Sequence, residues 1–470
     1  MSVVDDLRDA LGEVLTDPAD IAPWARDWTG QYIWQPLCVV RPRSTQEVSA
    51  VMKVATAHRA PVVPVGGNTG LAGGTKGEGA IMMSLDRMNR ILEIRPEARL
   101  AVVEAGVVLE QLHTATAQHG LVFPLTFGAK GSCRVGGFLS TNAGGSNVLR
   151  YGNTRDLVLG IEVVLADGRV MNLMSELHKD NSGLNLKHLI IGAEGQLGVI
   201  TGAVLKLHPR PKAYATAMVA VERLEGALEL LNRLQTVTGG AVEAFEYMSG
   251  AYIEAYLEHD ASARAPFDAP HDINILVEIG ALAPRDVTPD ADGQVPVVGY
   301  LESVLSDLFE EGAIRDAVVA QTEALRIEMW ARREAVGPVT LAKGPAVNND
   351  IAVALDKVPV FLDRMAARME VIDPEGRPLV VSHLGDGNVH YVVQPSRHDP
   401  VLMGNIMEAV EEEVMALGGS FSAEHGIGVT KLPSMARRKD KVAIEAMRAI
   451  KAALDPLGIL NPGKVLPASD

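Results

Sequence analysis

Pro61-Val-Val-Pro-Val-Gly-Gly-Asn-Thr-Gly-Leu-Ala-Gly-Gly74 runs from an apolar strand into a glycine-dense turn, and this transition organises the reading of the whole chain. Val62, Val63 and Val65 suit a buried strand. Gly66, Gly67, Gly70, Gly73 and Gly74 let successive backbone N–H groups converge on one point without interference from a Cβ. Such a point is suited to an anion. Asn68 and Thr69 add side-chain donors, but the Gly-Lys-Ser/Thr ending of a nucleoside-triphosphate loop is missing, because Lys76 follows Thr75. A pyrophosphate is therefore the expected ligand. The spacing Gly67-x-x-Gly70-x-x-Gly73 also departs from the G-x-G-x-x-G pattern of a dinucleotide Rossmann turn. By itself the loop is equally compatible with a tight surface turn between strand and helix.

The setting of this loop is α+β. Leu37–Val40 reads as a strand and Ser44 with Glu47 as a capping box ahead of a helix carrying Val48, Val51, Met52 and Val54. Strands are expected at 80–85, 91–94 and 100–105, and a helix at 108–119. A second stretch rich in Gly, Ser, Thr and Asn, Phe127–Ser146, has no amphipathic pattern and is longer than an ordinary turn. Its Val135, Phe138 and Leu139 argue against disorder, so it reads as a ligand-cradling loop. Leu157–Leu165 reads as a strand, and Leu189–Thr201 as strand, glycine loop and strand.

These segments resemble, at Val65–Gly74, Gly131–Gly145 with Arg150-Tyr-Gly152, and Gly192-Ala-Glu-Gly-Gln-Leu-Gly198, the FAD-binding domain of the vanillyl-alcohol oxidase / p-cresol methylhydroxylase superfamily. Within it they are similar to the FAD-linked D-2-hydroxyacid dehydrogenase family. The resemblance implies FAD contacts from Pro64, Gly66, Gly67, Asn68, Thr69, Gly70 and Leu71 in the first loop. It implies further contacts from Gly131, Ser132, Gly136, Gly137, Thr141, Asn142, Gly144, Gly145 and Tyr151, then from Glu194, Gly198, Ile200 and Asn461. The first loop holds no histidine, so the FAD is expected to be bound non-covalently; Cys133 reads as a small packed residue rather than a thioether.

His208-Pro-Arg-Pro211 marks a change of character. Strands at 216–221 and 273–279, a helix at 224–237 ending at Gly239-Gly240, solvated loops at 260–272 and 284–294, and helices at 297–311 and 314–335 make a second domain. The most chemically informative stretch follows: Val380-Val-Ser-His-Leu-Gly-Asp-Gly-Asn-Val-His-Tyr391, joined by Phe421-Ser-Ala-Glu-His-Gly-Ile-Gly428. The turn Gly385-Asp-Gly-Asn388 reads as a hairpin with His383 on the incoming strand and His390 on the outgoing one. Glu424 completes a His, His, carboxylate set suited to a catalytic zinc, with manganese, cobalt or iron as alternatives, and leaves His425 as a base. Taken singly, each of these residues reads as an ordinary sheet histidine or surface carboxylate; their concentration in two glycine-rich motifs favours the site.

These motifs, with Asn461-Pro-Gly-Lys-Val465, resemble the C-terminal half of the D-2-hydroxyglutarate and D-lactate dehydrogenases, so the resemblance spans residues 30–466. It implies His383, His390 and Glu424 as metal ligands, Asn388 as a substrate contact, His425 as general base and Arg333 as a carboxylate binder. Departures occur where the 2-hydroxyglutarate branch has Thr and Lys: this chain has Gly337 and Asn348. Ala352 and Ala354 also stand where a Ser and a Pro are expected. Lys343 is the candidate for the missing charge.

Length and composition agree with such an enzyme. The chain has 470 residues, 47% apolar, enough for more than one core. A net charge of −16 argues against a nucleic-acid binder. Two separated cysteines give neither a disulfide framework nor a thiolate metal site. With no signal-like start and no apolar run of about 18 residues, a cytoplasmic protein is expected, with peripheral membrane association left open. The expected architecture is a two-subdomain FAD-binding domain (1–208) of the p-cresol methylhydroxylase type. An α+β cap with an antiparallel sheet (209–420) and a C-terminal helical segment (421–470) complete it; a helix at 440–454 is expected to pack on the flavin domain. The expected reaction is oxidation of a D-2-hydroxy acid, D-2-hydroxyglutarate first and D-lactate second. Electrons would pass to an electron-transfer flavoprotein, a quinone or a cytochrome, and a homodimer is open. The same fold would also serve a flavin oxidase using dioxygen or alkyl-dihydroxyacetone-phosphate synthase chemistry.

Overall fold

A computed structural model describes residues 2–468. They fall into two units, the first made of residues 2–144, 152–209 and 424–468 and the second of Gly145–Tyr151 and Arg210–Ala423.

In the first unit β1 (Cys38–Val40), β2 (Val62–Val65) and β3 (Ile81–Ser84) form a parallel sheet in the order β1-β3-β2. The crossover from β1 to β2 is α1 (Thr45–His58), which starts where the Ser44 side chain accepts the Glu47 N–H and buries Val48, Val51, Met52 and Ala55. β4 (Ile91–Arg95), β5 (Leu100–Glu104), β6 (Val158–Val164), β7 (Val170–Leu173) and β8 (Val199–Lys206) make an antiparallel sheet in the order β4-β5-β8-β6-β7. α2 spans Leu109–Ala117.

Two expectations fail here. The 127–146 stretch is not all loop: α3 (Val135–Thr141) forms within it because Val135, Phe138 and Leu139 fall on one helical face, are buried, and are followed by Asn142 in a left-handed turn (φ 52°). Likewise the strand expected from Leu189 is the end of a short helix, Leu186–Ile190, initiated by the Asn185 side chain accepting the His188 N–H. The Lys441–Leu454 helix packs on this unit, with Lys451 Nζ donating to the carbonyls of Gln196 and Leu460, both at 2.7 Å.

The second unit is one antiparallel sheet with helices on both faces. Its strands are β9 (Ala213–Ala220), β10 (Val242–Ser249), β11 (Ile273–Ala281), β12 (Asp316–Val319), β13 (Val347–Ala352), β14 (Arg377–His383) and β15 (Asn388–Gln394), ordered β12-β9-β11-β10-β14-β15-β13. Alternation along each strand sorts the residues. Ala217, Phe245, Val277, Ile351, Val380 and Tyr391 face a core made with α4 (Leu224–Thr238), α5 (Pro296–Glu310), α6 (Val358–Ile372) and α7 (Pro400–Ala416). Met218, Met248, Leu276, Leu379 and Val381 face a second core with Tyr252, Tyr256, Met329 and Val339. The helix expected over 314–335 is divided: Val318 and Val319 extend β12 against β9, and a helix starts only at Glu323, where the Thr322 side chain accepts the Leu325 N–H. Among the described residues no helix is long and apolar enough to cross a membrane.

Candidate active site

In the first unit the two glycine stretches meet backbone to backbone. A Cβ on Gly67 would lie 2.2 Å from the Ser132 carbonyl oxygen, and one on Gly66 would lie 3.1 Å from the Gly137 Cα, so side chains are excluded where the loops cross. Beside this crossing is a cavity of about 350 Å3 lined by Gly66, Gly67, Asn68, Gly131, Ser132 and Arg134 among others. Backbone N–H groups on glycines, one cation and a polar Asn form a cradle suited to a pyrophosphate. Arg134, which lies within Phe127–Ser146 and was not anticipated as a site residue, supplies that charge.

The remaining candidate cofactor residues are distributed. Gly136 lies against Ala105 and Ile200, Pro64 against Gly195, and the side chain of Asn142 accepts the Arg155 N–H. Gly198 serves packing, since a Cβ there would lie 2.4 Å from a Val163 methyl. Thr69 and Leu71 are half-buried and Gly70 is exposed. Thr141 Oγ1 bonds back to the Gly137 carbonyl within α3, and Gly144 closes the first segment of this unit. Asn461 donates to the carbonyls of Glu194 (2.7 Å) and Gly74 (3.1 Å). Gly145 and Tyr151 belong to the second unit, where Tyr151 donates to Glu243 at 2.5 Å.

The second unit gathers the hairpin residues on one face of its sheet. Strand register sets Glu246, His383, Asn388 and Ala352 in one row and Met248, Val381, His390 and Asp350 in the next. His383 and His390 thus stand diagonally on neighbouring strands, with ring centroids 5.4 Å apart and ligand nitrogens within 4.8 Å. The turn between them is tight because Gly387 (φ 83°) packs against the Val353 carbonyl, where no Cβ fits.

Each member of this array has a support. Glu246, fully buried, holds His383 Nδ1 at 2.9 Å through Oε1 and Arg333 Nε at 2.7 Å through Oε2. Burial alone would raise the Glu246 carboxyl, but His383 and Arg333 outweigh it and hold it below the usual carboxylate range. Arg333 is anchored by Nε and touches the His383 ring with Nη2, while Nη1 meets no acceptor among the described residues. Asp350 lies 3.8 Å from His390 Nδ1. Asn388 spends both amide hydrogens, on Asp350 Oδ1 and the Ile351 carbonyl, each at 2.9 Å. Its own Oδ1 is buried without a donor. That orphaned acceptor and the paired imidazoles fit a divalent ion or a substrate hydroxyl, and the donor set of nitrogen and carboxylate oxygen suits zinc or a similar ion.

Glu424 and His425 follow Ala423, whose N–H donates to the Asp350 carbonyl at 3.3 Å. Lys343 is not gathered into the array: it is exposed and paired with Glu258 at 2.8 Å. Asn348 lies two residues from Asp350, on the same face, and is exposed. Glu246 and Asp350 were not anticipated from the sequence; carboxylates inside strand segments, two in β10 and one in β13, were the available signal.

Comparison with known proteins bears on both units. The family described as FAD binding domain matches residues 36–174, and that described as FAD linked oxidases, C-terminal domain, matches residues 210–465. A D-2-hydroxyglutarate dehydrogenase of Xanthomonas citri pv. viticola is 34% identical over 461 residues, covering 97% of this chain and 94% of the relative. The mitochondrial D-2-hydroxyglutarate dehydrogenase of Bos taurus is 35% identical, covering 98% and 84%. Among solved structures, substrate-bound p-cresol methylhydroxylase superposes with a TM-score of 0.73 at 16% identity, over 98% of this chain and 96% of that one, a likeness of fold.

Proposed function

Since the chain belongs to the FAD-linked oxidase family that includes the D-2-hydroxyglutarate dehydrogenases, we propose that it oxidises a D-2-hydroxy acid, D-2-hydroxyglutarate first and D-lactate second, to the 2-oxo acid. The observation that carries the reading is the array on the second sheet, two imidazoles with their nitrogens within 4.8 Å beside the donorless Oδ1 of Asn388. FAD, when bound, accepts the hydride from C2. Gly66, Gly67, Ser132 and Arg134 hold its pyrophosphate without a covalent link.

His383, His390 and Glu424 would hold a divalent ion, zinc first, and such an ion would supply Lewis acidity for the oxidation of the acid. Glu246 accepts Nδ1–H of His383 and so leaves Nε2 as the ligand atom. Arg333, steadied at Nε, offers its outer N–H groups to the substrate carboxylate. Asn388 contacts the substrate, and a ring nitrogen of His425 takes the hydroxyl proton. Electrons then leave for an external acceptor.

The test is the visible spectrum of the purified protein, mixed anaerobically with D-2-hydroxyglutarate and separately with D-lactate, with and without prior chelation. Bleaching by one acid, lost on chelation and restored by zinc or manganese, is the expected result. A flavin band unmoved by either acid in metal-replete protein overturns the proposal.

A further inference from the structure

Glu194 was expected to serve the cofactor, but its carboxylate is engaged elsewhere. Oε1 accepts the Ile427 N–H at 2.7 Å and Oε2 the Gly428 N–H at 2.9 Å. Two successive backbone donors on one carboxylate make a small anion nest, and its occupant is a side chain of the chain itself. The residue is fixed from behind as well: its N–H donates to the Ser140 carbonyl at 2.8 Å, at the end of α3, and its carbonyl accepts from Asn461 at 2.7 Å.

The clamped turn has little freedom. Gly426 (φ 74°) lies so close that a Cβ would sit 2.7 Å from Glu194 Oε1, and a Cβ on Gly428 (φ 51°) would sit 1.9 Å from the Ala72 carbonyl oxygen. The next N–H, that of Val429, donates to Ala72 at 2.9 Å. Glu194 itself adopts φ 50°, a left-handed conformation that a non-glycine residue holds only when its surroundings impose it. The left-handed Glu194, a turn at 426–428 that requires glycine at its two ends and a paired backbone clamp therefore converge on the segment that begins with His425.

We propose that Glu194 is a positioning residue for His425, fixing the backbone two residues beyond the base from the loop that precedes β8. The inference rests on the reading of His425 as the base. It explains why an acid stands there: only a carboxylate presents two acceptors to two adjacent N–H groups, whereas the amide of a glutamine turns an NH2 toward one of them.

The test uses the FAD-loaded enzyme as wild type, E194Q, H425N and the double variant E194Q/H425N. Anaerobic flavin reduction by the acid that the wild type oxidises is followed from pH 6 to 9, with FAD and metal content measured on the same samples. Displacement of a positioned group by a fraction of an ångström to an ångström costs up to ~100-fold, so E194Q is expected to lower the limiting rate about 10-fold or more. Half-saturating substrate, FAD content and metal content should stay at the wild-type values. In the H425N background, where the base is gone, adding E194Q should change the rate by less than about 2-fold and leave the pH profile unaltered. Equal rate losses in both backgrounds, a rate within about 2-fold of wild type, or loss of FAD or metal in E194Q overturns the assignment. An H425N enzyme that reduces its flavin as fast as wild type removes the base reading itself, and the positioning role falls with it.

Discussion

Oε1 of Glu246 lies 2.9 Å from Nδ1 of His383, and the other oxygen of the same carboxylate takes Nε of Arg333 at 2.7 Å. One buried group thus sets the tautomer of a proposed metal ligand and the aim of a proposed substrate-binding cation. Removing it leaves Arg333 as a buried charge without its partner, a loss of about 3–5 kcal/mol in stability for pairs of this kind. For E246A we expect divalent-ion affinity to fall ~10–100-fold, measured by titration of chelator-stripped protein, together with a lower unfolding midpoint. An unaltered ion affinity would show that His383 needs no orientation from behind.

Arg333→Lys separates binding from chemistry. The lysine has a single ammonium and cannot hold Glu246 through one nitrogen while offering a planar pair of N–H groups to a carboxylate. One charge-assisted hydrogen bond of about 1.5–3 kcal/mol is at stake, so kcat/KM should fall by ~10–150-fold, expressed mainly in KM. A drop in kcat at constant KM would remove Arg333 from the carboxylate-binding role.

What was legible in the sequence follows from how local the signals are. The helix at Thr45–His58 has its Ser44 cap and its apolar face within one window, and the His383–His390 hairpin has its turn glycines between the two histidines, so both were visible. Glu246 was not: its partner His383 is 137 residues away and meets it only through the pairing of β10 with β14. Asp350 is hidden in the same way, since only the pairing of β13 with β15 sets it opposite His390. Glu194 was visible as part of a glycine-rich motif, but its carboxylate bonds to Ile427 and Gly428 are set by tertiary structure alone. The helix at Val135–Thr141 was missed because Gly136 and Gly137 hold helix propensity down while burial of Phe138 and Leu139 restores it.

Two glycines of the first loop should behave oppositely. At Gly67 a methyl group would lie 2.2 Å from the Ser132 oxygen, a backbone atom that cannot move aside cheaply, whereas Gly70 has nothing within 4 Å of the same position. G67A is expected to give protein that is less stable and purifies without flavin, and G70A to fold with an unchanged melting temperature. Full FAD content in G67A would show that the crossing of the two glycine stretches is not what shapes the cradle.

Lys464 supplies a pH-dependent test of the same unit. It is buried, its Nζ donates to the Pro462 carbonyl at 2.9 Å, and no carboxylate pairs with it among the described residues. Burial, with Lys76 nearby, brings its ammonium down from 10.5 to about 8. Below about pH 8 the group is protonated in both folded and unfolded chains, and the folded state bears the full cost of the buried charge. Between pH 8 and 10.5 the folded form has released the proton while the unfolded form retains it, so stability contributed by this residue rises with pH across that window. K464M should therefore stabilise FAD-stripped protein at pH 7 by up to ~3 kcal/mol, the free-energy equivalent of that displacement. The advantage should fade toward pH 10.5. Chemical denaturation of both proteins at pH 7 and pH 10 measures it, and a difference that stays constant with pH would mean that Lys464 is not held as an unpaired buried ammonium.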